Sequence, residues 1–141
     1  MIAVNDAINW CLEVIETRNC IYDWTTGSKK VLNSDTYNCS TFLITAWYAA
    51  GVYDGYAYNT ESMYYDFPNY GFTWIDRNNI NLSSTNDLLP GDILLNIYLH
   101  TEMYIGDGLN VNAGASDEVP CTKVVGYRDF PWDGILRYTG V

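Results

Sequence analysis

Basic residues and histidine are scarce in this chain. Seven Lys and Arg stand against seventeen Asp and Glu, a net charge of −10 with a single His. Phosphate binding depends on clustered Lys and Arg, so nucleic acid is excluded as a partner. An anionic membrane surface is disfavoured for the same reason. No apolar run approaches the ~18 residues that a membrane-crossing helix needs. Met1 to Asp6 carries no basic start and no long apolar stretch, so no secretory signal is predicted. Of the four cysteines, 11, 20, 39 and 121, none forms a C-x-x-C pair. With one His beside them, no zinc site is predicted. No evenly spaced carboxylate loop suggests calcium, and no cofactor is predicted. Without an export signal the thiols are expected to be reduced.

What remains is an ordinary globular composition, 48% hydrophobic and 17% charged over 141 residues, expected to form one domain, 1–141. Aromatics reach 16%, which suits a core and also a groove for a polar ligand. Asn5 reads as the N-cap of a helix running to about Thr17, with Ala7, Ile8, Cys11, Leu12 and Ile15 on one face. Residues 19–37 read as a loop-rich approach. A second helix, Cys39 to Ala50 with Gly51 as its stop, is apolar nearly all round and so belongs at the centre of the domain. A short third helix starts at Thr60 and ends before Pro68. Strands follow at about 72–75, 92–96, 100–105, 109–113, 124–127 and 135–138, with Gly106-Asp107-Gly108 as a hairpin turn. Helices first and strands afterwards predict an α+β fold, N-terminal helices packed on an antiparallel sheet of about five or six strands.

Cys39 opens the buried helix, where the positive end of the dipole favours the thiolate. A buried structural Cys would sit there equally well. His100, the sole imidazole, gains value if the fold brings it beside Cys39 as a base. Asn112 lies one hairpin later, an even number of residues on. Its carbonyl would then hold the imidazole tautomer, as in Cys-His-Asn sites. Glu102 faces the same side as His100 by parity. It reads as a solvated strand residue more readily than as a contact for a substrate amine. Asp92 belongs to the Pro90-Gly91 turn, and Asp117-Glu118 would rim the cleft.

Tyr37-Asn38-Cys39-Ser40-Thr41, Leu89-Pro90-Gly91-Asp92-Ile93-Leu94, His100 to Gly106, and Gly108 with Val111-Asn112-Ala113 together resemble the NlpC/P60 cysteine peptidases. Within them, the likeness is to the bacteriophage peptidoglycan amidohydrolases, the catalytic domains of endolysins. It spans roughly residues 5–138. The resemblance implies a papain-like NlpC/P60 fold, Cys39 as nucleophile, His100 as base and acid, and Asn112 at the orienting position. It also places a Tyr near the oxyanion hole. Tyr22 matches best, with Tyr37 the alternative. Many relatives have Asp before the nucleophile, which with the following Ser helps to read a free substrate amine. Here Asn38 precedes Cys39, so Ser40 remains a substrate-binding candidate without the charge, and a free N-terminal L-Ala is not expected to be required.

The implied activity is hydrolysis of a stem-peptide amide in bacterial peptidoglycan, with the γ-D-glutamyl–diamino acid bond preferred over N-acetylmuramoyl–L-alanine. A cysteine acyltransferase or deamidase acting on protein, and a non-enzymatic wall-binding module, are the rivals. The resemblance further implies synthesis in the host cytoplasm without a signal peptide and action on the wall after holin-type release. A separate wall-binding domain or subunit would supply targeting, as for a catalytic domain cut from a longer lysin.

Overall fold

A computed structural model describes residues 2–24, 29–114 and 118–140. Helix α1 spans Ile2–Thr17, and the two-residue strands β1 (Ile21–Tyr22) and β2 (Thr36–Tyr37) pair in parallel. Helix α2 is Cys39–Ala49 and α3 is Thr60–Asp66, continued by a 3₁₀ turn at Phe67–Tyr70. Then come β3 (Phe72–Asp76), a 3₁₀ turn (Arg77–Asn79), β4 (Ile93–Asn96), β5 (His100–Gly106), β6 (Leu109–Ala113), β7 (Thr122–Gly126) and β8 (Gly134–Tyr138). The last six strands form one sheet in the order β3-β8-β4-β5-β6-β7, antiparallel throughout. This is the α+β architecture expected.

The alternation of the strands sorts the core. Ile93, Leu95, Met103, Val111, Ala113 and Leu136 pack in one cluster with Ala7, Cys11, Phe42, Leu43 and Trp47 of the helices. Their neighbours Leu94, Tyr104 and Ile135 point the other way, into a second cluster with Leu82, Leu88 and Trp132. Helix α2 is buried along its length from Cys39 to Trp47, as its lack of a polar face requires.

Asn5 is not an N-cap: α1 begins at Ile2. Val4 explains the earlier start. It joins the buried stripe Val4, Ala7, Cys11 and Val14 and packs against Gly91. Gly91 has φ +95°, and a Cβ there would lie 2.7 Å from Val4 Cγ1, so this turn needs glycine twice over. Asp92 belongs to that turn, as expected, and does more. It accepts from Leu89 N at 2.8 Å and holds Arg137 through two bonds of 2.9 and 2.8 Å, tying the turn to β8. It is a structural carboxylate.

Candidate active site

The site is assembled from one helix start and one sheet end. Asn38 caps α2 through a reciprocal capping box with Thr41, its side-chain oxygen accepting from Thr41 N at 3.0 Å. The same oxygen accepts from Ser40 Oγ at 2.9 Å. Asn38 and Ser40 are thereby bound to each other, and Cys39 is fixed between them as the first helical residue. Its backbone N–H donates to Tyr22 Oη at 3.4 Å. Burial alone would push the thiol pKa up. Hydrogen bonding and charge from His100, then the Tyr22 hydroxyl, overcome it and bring Cys39 below its ordinary value. The Tyr22 hydroxyl itself, buried beside that sulfur, is pushed up and stays protonated. Cys11, deep in the core with no such partners, is pushed up too.

His100 starts β5, and Glu102 follows on the same face. His100 Nε2 and Glu102 Oε2 are 2.9 Å apart. Burial opposes ionisation of Glu102, but bonds from His100 and Asn110 and the charges of His100 and Arg128 hold its pKa below the usual carboxylate range. An ionised carboxylate only accepts, so Nε2 carries the proton and Nδ1 is left for Cys39. Burial likewise disfavours the imidazolium. The bonds to Cys39 and Glu102 outweigh it and raise His100 to about 9. A thiolate–imidazolium pair is the ground state this arrangement favours.

The partner at the imidazole is Glu102, not Asn112, and this corrects the expected orienting role. The physical reason is register. Met103 pairs with Val111 and Tyr104 with Asn110, which continues to Asn112 opposite Glu102 rather than opposite His100. Asn112 Nδ2 donates to Glu102 Oε2 at 3.0 Å, Asn110 Nδ2 to Oε1 at 3.1 Å, and Arg128 Nη2 to Oε2 at 2.9 Å. Nor is Glu102 a solvated strand residue, since its exposure is 0%. Its parity with His100 held. A fully buried carboxylate needs such a set of donors, and the sequence supplies them from three separate places.

Arg128, Asn110, Phe130 and Trp132 escaped the sequence reading. Trp132 stacks on the His100 ring at 6.1 Å and Phe130 meets it edge-on at 5.9 Å. Arg128 lies over Phe130 at 4.8 Å. Only the clustering Arg128, Phe130, Trp132 just before β8 hinted at a role. Tyr22 lies at Cys39, whereas the alternative Tyr37 is buried and donates to Val31 O at 2.5 Å. Glu118 pairs with Lys123, and Asp117 lies outside the described residues.

Beside Cys39 opens a cleft of about 130 Å³, walled by Tyr22, Trp24, Tyr58 and Leu99 with Asn59 and Thr60, and among the described residues no charged side chain lines it. A larger cavity at Val4, Pro90, Arg137 and Tyr138 contains none of these residues and carries no chemistry of its own.

No protein-family model matches the chain, and no curated protein does. Solved structures do. The peptidoglycan hydrolase RipB from Mycobacterium tuberculosis superposes with a TM-score of 0.66 at 16% identity, over 99% of this chain and 66% of that one. The P60 domain of an antigen from M. avium subspecies paratuberculosis gives 0.62 at 16% identity, over 99% and 96%. NlpC1 from Trichomonas vaginalis gives 0.60 at 21% identity, over 96% and 42%. The chain thus spans less than half the length of NlpC1 and, at 47%, of NlpC2 from the same organism. These likenesses establish the NlpC/P60 fold.

Proposed function

We propose that the chain is a cysteine hydrolase of peptidoglycan stem peptides, a γ-D-glutamyl–diamino acid endopeptidase of the phage endolysin type. The observation that carries this reading is the line Cys39–His100–Glu102, with a lowered thiol and a raised imidazole, on an NlpC/P60 fold. RipB, named as a peptidoglycan hydrolase, supports the substrate class.

On this reading the Cys39 thiolate adds to the amide carbonyl. The oxyanion is met by the Cys39 N–H and the Tyr22 hydroxyl, which leave each other to do so. The C–N bond breaks as His100 gives its proton to the departing nitrogen, leaving a thioester. His100 then takes a proton from water, whose oxygen attacks the thioester. Collapse releases the acid and returns the thiolate and imidazolium. Glu102 holds Nε2 throughout and keeps Nδ1 aimed at the sulfur.

The acyl half of the substrate lies in the cleft beside Cys39, whose described lining is uncharged. Asn38 and Ser40, bonded to each other there, offer no charge to a free amine, so intact stems are accepted. That same neutrality favours, as a second reading, a cut at N-acetylmuramoyl–L-alanine. The protein would be made in the host cytoplasm, reach the wall after holin-type release, and take its targeting from a separate wall-binding domain or subunit.

The test is turbidity loss of bacterial walls with wild type and Cys39→Ala, with mass spectrometry of the fragments. Lysis by wild type alone is expected, with new γ-D-glutamyl termini. Absence of lysis across wall types, with Cys39 unreactive toward iodoacetamide, would overturn the hydrolase reading.

A further inference from the structure

We propose that Asn38 and Ser40 read a carboxamide on the acyl half of the substrate, so that the chain prefers stems whose D-glutamyl residue is amidated at its α-carboxyl (D-isoglutamine) to stems that carry the free carboxylate there. The inference rests on the endopeptidase reading above and deepens it.

The bond to be cut decides which group the cleft must accept. Cys39 attacks the γ-carbonyl of the D-glutamyl residue. Only a pair of methylenes and the α-carbon separate that carbonyl from the α-carboxyl. The α-carboxyl therefore stays near Cys39, in the cleft that Asn38 and Ser40 help to line. Nothing there balances a negative charge. All seven Lys and Arg lie among the described residues, and none lines the cleft. Lys30, Arg77, Lys123, Arg128 and Arg137 are each paired to a carboxylate elsewhere. The His100 imidazolium is already engaged by the Cys39 thiolate and by Glu102. Residues 25–28, which follow Trp24 in the sequence, are Thr25, Thr26, Gly27 and Ser28 and bring no charge. The walls Tyr22, Trp24, Tyr58 and Leu99 present mainly apolar surface, against which an unpaired carboxylate is costly to desolvate.

The polar groups that the lining does offer match an amide. The Thr41 backbone N–H can only donate, so the Asn38 atom it meets is the oxygen. That oxygen also takes the Ser40 hydroxyl hydrogen. Asn38 Nδ2 is left over and makes no hydrogen bond among the described residues. Ser40 Oγ has spent its hydrogen, so toward the cleft it can only accept. A donor and an acceptor thus stand side by side, held by the cap of α2 before substrate arrives, which lowers the ordering cost of binding. A carboxamide uses both: its oxygen accepts from Asn38 Nδ2, and its NH2 donates to Ser40 Oγ. A carboxylate accepts from Asn38 but has no hydrogen for Ser40 Oγ, and it sets one lone pair against another there.

The experiment compares two synthetic tetrapeptides, L-Ala-γ-D-Glu-meso-diaminopimelyl-D-Ala and its counterpart with D-isoglutamine in place of D-Glu, with wild type, Ser40→Ala and Leu99→Lys. Wild type is expected to favour the amidated peptide by about tenfold in kcat/KM, chiefly through KM, as an acceptor left facing an acceptor costs. Ser40→Ala removes that acceptor and narrows the ratio by slowing the amidated peptide alone. Leu99 is 66% exposed on the cleft wall, so Leu99→Lys adds a cation there at little risk to the fold. It should speed the carboxylate peptide and bring the ratio close to one. Equal cleavage of the two peptides by wild type, a preference for the carboxylate, or a ratio that neither substitution moves overturns the inference and leaves the endopeptidase reading standing. Should Ser40→Ala fail to fold, Leu99→Lys decides. Wild type that cuts neither peptide but still lyses walls sinks the endopeptidase reading, and this inference with it.

Discussion

At the scale of single residues, the consequential group is Glu102. It sits two positions after the base on the same strand and does the work expected of Asn112. The pH dependence follows from the shifts it helps to set. The thiolate–imidazolium pair exists above the lowered pKa of Cys39 and below that of His100 at about 9. The hydrolysis rate should therefore fall as pH rises through about 9, when the imidazolium loses the proton that the leaving amine needs. Glu102 raises His100, so Glu102→Gln should move this alkaline limb to lower pH. It should also reduce kcat by on the order of 10²-fold, the low end of what positioned acid–base groups supply. A pH–rate profile of the two proteins reads both effects, and an unmoved limb would contradict the role given to Glu102. Tyr22→Phe removes one oxyanion donor and should cost on the order of 10²-fold in kcat with KM little changed. Cys39 and His100 were legible because a lone imidazole and a thiol at a helix start are rare features. Glu102 was half legible: parity placed it correctly, but nothing local said that it was buried. Its burial depends on Asn110, Asn112 and Arg128, the last brought in by a segment far along the chain.

Among the elements, α2 carries Cys39, the proposed nucleophile, and its cap is the sensitive point. Asn38 holds both Thr41 N and Ser40 Oγ. Asn38→Ala should destabilise the fold by about 1 kcal/mol. For a chain of this size the melting temperature should then drop by roughly 3–5 °C. Asn38→Asp keeps the cap and places a negative charge beside the sulfur, so it should preserve the melting temperature while making Cys39 slower toward iodoacetamide at neutral pH. Equal melting of all three proteins would show that the capping box is not stabilising. A second fastening joins the turn before β4 to β8. Asp92 is 1% exposed and bound twice to Arg137, so Arg137→Met should cost on the order of 3 kcal/mol by leaving a buried carboxylate unpaired. Adding Asp92→Asn should restore part of that loss, measurable in a denaturant series. Strand and helix positions were largely legible, because period-two strands between Gly and Pro turns and an all-apolar helix are strong local signals. The start of α1 was not. Asn5 looks like a cap in sequence, and only the packing of Val4 on Gly91, a contact across most of the chain, sets the helix to begin at Ile2.

For the molecule as a whole, charge is the property that acts at a distance. A net charge of −10 gives the protein a repulsive field toward anionic wall polymers such as teichoic acids. Among the described residues the cleft beside Cys39 has no charged lining to reverse it locally, and the Arg128 cation is partnered with Glu102. Repulsion between exposed charges is screened over about 30 Å at 0.01 M salt but about 8 Å at 0.15 M. Lysis of walls bearing teichoic acid should therefore speed up as salt rises across that interval, through faster association rather than faster chemistry. Walls stripped of teichoic acid should show little change. Turbidity rates on both wall preparations at matched salt concentrations make the comparison. Faster lysis at low salt on teichoic-acid walls would mean that a cationic surface elsewhere governs the encounter and that the field of the whole chain does not. On the proposed function, charge thus sets a requirement that the fold alone would not meet: at low ionic strength the domain would need a wall-binding partner to hold it at its substrate. Adding such a partner covalently should flatten the salt dependence while leaving the pH profile of the Cys39–His100 pair where it was.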